Sequence, residues 1–272
     1  MIANDLSLEA CVGATEENFW ALWSNFGKGP GCALHDEQSA LWFDTPLSYL
    51  PYNAVLRFRP EGDAEPLIDR IFDHYQKRGV PFAWVVHPSA TPANLAELLR
   101  ARGMTKAEIV PGMTMDLADL PPREPCPEGV VIREATTDED LAQAYSLVAW
   151  RWGVPDDQQQ EHRELSYSFP IGKPGSPARC WLAYMNGQAV SKALLNMDGT
   201  SAGVHGVATK DEARGKGLAR TLTLEALHAG REAGYRLGVL HSSAMARSLY
   251  EKIGFRQVSE FGVYVAGADF HV

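Results

Sequence analysis

VATKDEARGKGLARTL, residues 207–222, sets arginine, glycine, lysine and glycine in the mouth of a helix. An apolar run ends, a charged loop follows, and a helical pattern begins. A tight turn needs one glycine, so two glycines inside a cationic cluster ask for another cause. The first N–H groups of a helix have no intrahelical partners, and they lie at the positive end of its dipole. Small residues let a ligand approach the backbone closely. The segment Arg214-Gly215-Lys216-Gly217-Leu218-Ala219-Arg220 therefore reads as a cradle for a pyrophosphate. Its amides would donate to phosphate oxygens, and Arg214, Lys216 and Arg220 would add charge.

Two familiar phosphate loops do not fit. The Walker pattern GxxxxGK[ST] is missing from this stretch. The dinucleotide fingerprint wants a small residue where Arg220 stands, and it belongs to the first strand–helix turn of a domain. A nicotinamide-dinucleotide enzyme is thereby disfavoured. What does fit is Arg-x-x-Gly-x-Gly/Ala behind an apolar strand.

Working outward, the second half of the chain alternates strands and helices. GVVIREA (129–135) reads as a strand and TDEDLAQAYSLVAW (137–150) as a helix capped by Thr137 or Asp138. DDQQQEHRELSYS (156–168) reads as a second, more polar helix. Two strands follow, joined at Asn186-Gly187, a strong hairpin signal. AGVHGVAT (202–209) is a strand, and GLARTLTLEALHAGREAG (217–234) is a helix with Leu218, Leu222, Ala226 and Ala229 on one face. RLGVLHSS (236–243), AMARSLYEKIGF (244–255) and RQVSEFGVYVAG (256–267) complete the series as strand, short helix and strand. A mixed α/β layer around a central sheet follows.

The first half echoes this order. PFAWVVHPSATPANLAELLRARGM (81–104) parallels YRLGVLHSSAMARSLYEKIGF (235–255), with Gly103 against Gly254 and Leu99 against Tyr250. The helix EPLIDRIFDHYQKRG (65–79) takes the place of 217–234, but the loop before it, RPEGDAEP, is acidic. The proline-rich stretch DLADLPPREPCPEG (116–129) suggests a spacer between the two copies.

Composition bounds the function. The chain has 272 residues, 45% of them apolar, which suits two domains with real cores. A net charge of −9 argues against nucleic acid as a partner. The start, MIANDLSLEACVGATEEN, lacks the marks of a signal peptide, and no run of about 20 apolar residues is present to span a membrane. Cys11, Cys32, Cys126 and Cys180 are scattered without CxxC, which argues against zinc and disulfides. A cytoplasmic protein without a metal is expected.

On these motifs the sequence resembles the GNAT superfamily of acyl-CoA-dependent N-acyltransferases. Residues 214–219 match the family's coenzyme A pyrophosphate loop. Ala246-Arg247-Ser248-Leu249-Tyr250-Glu251-Lys252-Ile253-Gly254-Phe255 looks like its A-x-x-L/F-Y-x-K-x-G-F helix. The resemblance covers about residues 130–266, and the layout is similar to tandem members in which one copy keeps the cofactor loop. It implies an α/β (α+β) fold of two GNAT-like domains, each a mixed central sheet flanked by helices. The expected division is a degenerate domain at 1–118, a linker at 119–129 and a catalytic domain at 130–272.

The resemblance also implies the site. Strands 202–209 and 236–243 would splay apart, leaving the backbone of Val207, Ala208 and Thr209 to bind the pantetheine arm of acetyl-CoA as an added strand. The product would be CoA. Tyr250 takes the place of the general acid, although a packed core tyrosine would give the same residue. His205 stands where one branch of the family has a base; it should share a face with Gly203 and Val207 and titrate near neutrality. His241 is a second candidate, or a cap or channel lining. Ser243, where the family often has Asn, could bond the arm or cap the helix. Leu99 cannot donate a proton, so the first copy should be inactive. The acceptor pocket is expected under 137–168, with Trp150, Trp152, Tyr167 and Phe169 as lining and Asp156 or Asp157 facing an ammonium. The implied acceptor is a small-molecule amine, attacked directly in a ternary complex. A protein N-terminus or lysine, or a non-catalytic acyl-CoA sensor, are the alternatives. A homodimer is conceivable.

Overall fold

The computed structural model describes residues 5–173 and 175–267. In chain order these form α1 (Leu8–Trp23), β1 (Ala33–Asp36), β2 (Ala40–Asp44), β3 (Ala54–Phe58), α2 (Glu65–Arg78), β4 (Phe82–Val86), α3 (Leu95–Ala101) and β5 (Thr105–Asp116). They continue as β6 (Val130–Glu134), α4 (Asp138–Trp152), α5 (Gln159–Ser168), β7 (Ala178–Met185), β8 (Gln188–Met197) and β9 (Ala202–Thr209). Last come α6 (Leu218–Glu232), β10 (Leu237–His241), α7 (Arg247–Ile253) and β11 (Arg256–Ala266).

Local chemistry sets several of these boundaries. Thr137 and Asp140 form a reciprocal capping box at the start of α4. Asn186 (φ 50°) and Gly187 (φ 78°) are both left-handed, the backbone that a two-residue hairpin between β7 and β8 requires. α2 ends at Arg78 because Gly79 turns left-handed at its cap.

The chain folds as two compact units that are discontinuous in sequence. The first gathers residues up to Phe19, Pro111–Pro155 and Pro170–Ser259. The second gathers Trp20–Val110, Asp156–Phe169 and the chain from Glu260 on. A linear division at 119–129 was expected, and the units do not follow it. The reason is strand placement. The end of β5 pairs with β10, from Leu237↔Asp116 to His241↔Gly112, so this tail of the first copy is a strand of the first unit. The end of β11 pairs with β4, from Gly262↔Val86 to Ala266↔Phe82, in the second unit.

In the first unit the strand order is β5-β10-β9-β8-β7-β6, with β9 and β10 parallel and the other neighbours antiparallel. α6 lies on one face: Leu218, Leu222, Ala226 and Ala229 pack with Ala193, Leu195, Ala202 and Val204. Burying one such leucine contributes roughly 1.5–3 kcal/mol. Gly230 lets helix and strand close up, since a Cβ there would meet the Cβ of Ala202 at 2.7 Å. In the second unit the order is β1-β2-β3-β4-β11, with β3 and β4 parallel. Its core holds Ile68, Ile71, Phe72 and Tyr75 of α2 against Val55, Phe58 and Trp84.

Two helices expected to share one pocket fall in different units: α4 in the first and α5 in the second. Phe169 is buried against Phe26, ring centroids 4.6 Å apart, so it is core rather than pocket lining. Trp150, Tyr167, Asp156 and Asp157 are exposed. Among the described residues no helix is long and apolar enough to cross a membrane.

Candidate active site

The first unit's sheet opens along one seam. β9 and β10 pair only at Gly238↔Ala202, Val239↔Gly203 and Leu240↔Val204. β9 runs on to Thr209 against β8, so residues 205–209 have no strand partner on the β10 side. The expected splay is present. A bulge accentuates it: His205 faces Leu194 and Ala208 faces Lys192, which leaves Gly206 and Val207 opposite Ala193 alone. Gly206 takes φ 53°, a conformation that favours glycine. On the β8 side the edge is held firmly. Ser191 Oγ donates to the Ala208 carbonyl at 2.9 Å, and Thr209 Oγ1 lies 2.7 Å from it.

The glycine loop lies just beyond the splay. Gly215 (φ 75°) and Gly217 (φ 78°) are left-handed, and a Cβ at either would meet nothing within 4 Å. The glycines are required by backbone shape, and the space beside them is open. Gly217 begins α6 without any side-chain cap, so the first amides of that helix are not met by a side chain there. Leu218 is buried and anchors the turn; Lys216 is exposed. Arg214 is exposed and pairs with Asp211 at 2.9 Å, and its Nε donates to the Thr209 carbonyl at 3.4 Å. Arg220 is engaged by Glu124 at 2.6 Å and by the Lys252 carbonyl at 3.3 Å. Both arginines thus face a carboxylate, and the exposed Lys216 stands between them in the loop.

Tyr250 is buried on α7, in the apolar cluster that holds Leu218, Leu222, Leu240 and Phe255. Burial pushes its phenol up to about 12, so it is protonated throughout the neutral range. Ser243 Oγ accepts the Ala246 N–H at 3.4 Å and so caps the turn into α7.

His205 differs from expectation in two respects. It shares a face with Gly203, where an added Cβ would lie 2.7 Å from its Nε2. Val207 does not share that face: the bulge turns it to the α6 side, where it packs against the same cluster as Tyr250. Nor does the imidazole titrate near neutrality. Burial, reinforced by the charge of Lys192, lowers its pKa to about 3. His241 lies alongside, ring centroids 6.1 Å apart, and burial lowers it to about 3 as well. Both rings are neutral at pH 7.

The tautomer of His205 follows from Asn18. The Asn18 amide nitrogen donates to the Asn196 carbonyl at 3.1 Å and lies 3.0 Å from Ser201 Oγ. Its oxygen is therefore the acceptor for His205 Nε2 at 2.7 Å. Nε2 carries the proton, and Nδ1 keeps its lone pair. Asn18 lies on α1, and no motif in the sequence marks it. Lys192 was also overlooked. It is 5% exposed on β8, and a Cβ at Gly206 would lie 2.9 Å from its Nζ. Burial lowers its pKa. A lone lysine inside QAVSKALLNM was a readable signal.

An acetyltransferase (GNAT) domain matches residues 164–271. No curated protein matches the sequence. Among solved structures, a GCN5-related N-acetyltransferase from Kribbella flavida is similar with a TM-score of 0.65 and 16% identity, covering 98% of this chain and 97% of that one. A tandem GNAT protein from the clavulanic acid biosynthesis pathway gives 0.62 and 15%, covering 100% and 98%. A GCN5-related N-acetyltransferase from Sphaerobacter thermophilus gives 0.62 and 20%, covering 84% and 80%. At these identities the likeness is one of fold.

Proposed function

Since the chain carries an acetyltransferase (GNAT) domain over residues 164–271, we propose that it transfers an acetyl group from acetyl-CoA to the primary amine of a small molecule, by direct attack in a ternary complex. The observation that carries this reading is the β9–β10 pairing that stops at Val204 and Leu240 beside an uncapped, glycine-led helix start. The residues present fit the donor. The free edge of 205–209 offers backbone groups to its amides. The amides at the start of α6, with Lys216 and Arg214, suit its phosphates.

Acetyl-CoA supplies an activated thioester. Tyr250 holds a proton at pH 7 and donates it to the departing sulfur as the C–S bond breaks and the N–C bond forms. A phenol raised to about 12 by burial gives up that proton only to a strong base, which a nascent thiolate provides. His205 is too weak a base to deprotonate an ammonium ion. As a neutral ring with a free lone pair at Nδ1, it accepts a hydrogen bond from the neutral amine or from a water that takes the amine's proton. The amine must arrive neutral or lose its first proton to water.

Release of free thiol from acetyl-CoA, measured across a panel of amino acids, amino sugars, polyamines and aminoglycosides, tests this. Amine-dependent release supports it. Stabilisation by CoA without thiol release under any amine would instead favour a non-catalytic acyl-CoA sensor. The low basicity of both buried imidazoles speaks for that second reading; Tyr250 speaks against it.

A further inference from the structure

His35 on β1, Asp44 on β2 and His74 on α2 close on one point in the second unit. Both imidazoles present Nε2 to the same carboxylate oxygen, Asp44 Oδ2, each at 3.0 Å. The three donor atoms all lie within 4.8 Å of one another. We propose that this triad binds a divalent transition-metal ion of the zinc class.

The geometry suits such an ion. Zinc sits about 2.0–2.1 Å from imidazole nitrogen and about 2.0–2.2 Å from carboxylate oxygen, so neighbouring ligand atoms at tetrahedral angles are roughly 3.3 Å apart. The two imidazole-to-carboxylate spacings of 3.0 Å need to open by only a few tenths of an ångström, and the two imidazole nitrogens already lie within 4.8 Å of each other. Two imidazoles and one carboxylate form a borderline donor set, suited to zinc, nickel, cobalt or iron rather than to calcium or magnesium.

The ligands are also held in place. The His35 ring stacks flat on Trp42, centroids 3.5 Å apart at 7°. The His74 ring meets Trp42 edge-on at 4.7 Å and 79°. Trp42 is 3% exposed, so this platform is fixed in the core. The other carboxylate oxygen, Asp44 Oδ1, is gripped by Arg78, whose second nitrogen donates to the Thr45 carbonyl at 2.7 Å. That leaves Oδ2 aimed at the imidazoles, the outer-shell support that metal carboxylates commonly have. Without an ion, Asp44 Oδ2 can accept an N–H from each imidazole through its two lone pairs. With an ion, all three groups present lone pairs to it. The side chains of His35 and His74 are 29% and 32% exposed, so an ion can enter and a fourth position faces solvent. Bound metal would pin the β1–β2 hairpin to α2. The sequence reading expected no metal from the scattered cysteines, and the spacing of this triad, 9 and 30 residues, follows no metal motif.

The test uses the full chain, freed of metal by a chelator and dialysed. Zinc chloride is titrated calorimetrically into wild type and into a His35→Gln, His74→Gln double variant, with circular dichroism as the check on folding. One equivalent bound by wild type, with affinity lower by at least about 100-fold in the folded double variant, is expected. Equal zinc uptake by both proteins, or none by wild type, overturns the proposal. Should the double variant misfold, cobalt decides on wild type and the single variant His74→Gln. Intense visible bands of a tetrahedral site support the triad when His74→Gln abolishes them, and a spectrum like that of the aqueous ion overturns it.

Discussion

The two units begin the same wedge and finish it differently. In the second, β3 and β4 pair in parallel only at Ala54↔Ala83 and Val55↔Trp84, so the strands part early there too. The gap is then closed from within. The Phe58 N–H donates to His87 Nε2 at 3.1 Å, and the Phe58 carbonyl accepts the Thr91 N–H at 3.1 Å. His87 occupies the place that His241 has in the first unit, at the end of the second parallel strand. The helix starts differ as well. α2 opens on Ala64 in a helical conformation, and the Asp63 carboxylate already accepts the Glu65 N–H at 3.1 Å. α6 opens on a left-handed glycine with no side-chain cap. One unit meets these backbone donors with its own anion and its own histidine; the other begins its helix without a side-chain cap. The same wedge can thus be filled by internal partners without a change of fold.

The largest expected effect concerns the pair Tyr250 and Leu99. Tyr250→Phe makes the first unit resemble the second at this position alone. Turnover should fall by about 100- to 10,000-fold, the range for a well-placed acid. CoA affinity should be unchanged. A variant that keeps full turnover would remove Tyr250 from the chemistry while leaving the binding site intact.

Next is the helix start. Gly217→Asp puts an acid at the start of α6, one residue from the place that Asp63 has at the start of α2, and Asp tolerates the left-handed backbone better than most residues. A charge-assisted contact is worth about 1.5–3 kcal/mol, so CoA affinity should drop about 10- to 100-fold. Isothermal titration with CoA measures it. Undiminished affinity would mean that the amides of α6 do not hold the phosphates, and the contrast between the two helix starts would lose its meaning.

A smaller change probes the open wedge. Asn18→Ala strands the His205 Nε2–H in a buried site, at a cost of about 1–3 kcal/mol in stability. Denaturant unfolding would register it. Asn18→Asp, which keeps an acceptor and adds a charge, should raise the His205 pKa, visible by NMR. If neither variant moves His205, the hydrogen bond does not set its tautomer.

Much of this was legible in the sequence because the deciding features are local. Glycines at 215 and 217 announce a left-handed, uncapped helix start, and Asn186-Gly187 announces the hairpin. The splay was expected only through the family resemblance, since it depends on where parallel pairing stops. Features set by distant segments were not legible. No pattern in 105–116 reveals that the end of β5 joins the first unit, because a strand reads alike whichever sheet it joins. Asn18 meets His205 across 187 residues, which leaves no local trace. The basicity of His205 was misjudged for the same reason. Burial by remote elements, not the strand's own alternation, lowers it, and one bulge residue was enough to turn Val207 to the other face.

The response to acid separates the units most directly. His205 and His241 in the first unit are lowered to about 3, and His162 in the second to about 4, all chiefly by burial. An unfolded imidazole binds a proton near pH 6.5. Above that pH neither state is protonated, and the stability is fully present. As pH falls toward 4 the unfolded chain takes up protons that the folded protein refuses, so each group withdraws about 1.4 kcal/mol per pH unit. Among the described residues His205 and His241 lie in the first unit within 6.1 Å of each other, burial lowers His228 there as well, and His162 lies in the second, hydrogen-bonded to Tyr52 at 2.9 Å. Acid should therefore loosen the first unit ahead of the second. Hydrogen exchange between pH 7 and 5 would show it, with protection lost first in β8 and β9 and only later in α2. His205→Gln should flatten the dependence in the first unit alone. Parallel loss in both units would show that the wedge histidines are no more constrained than an ordinary buried one.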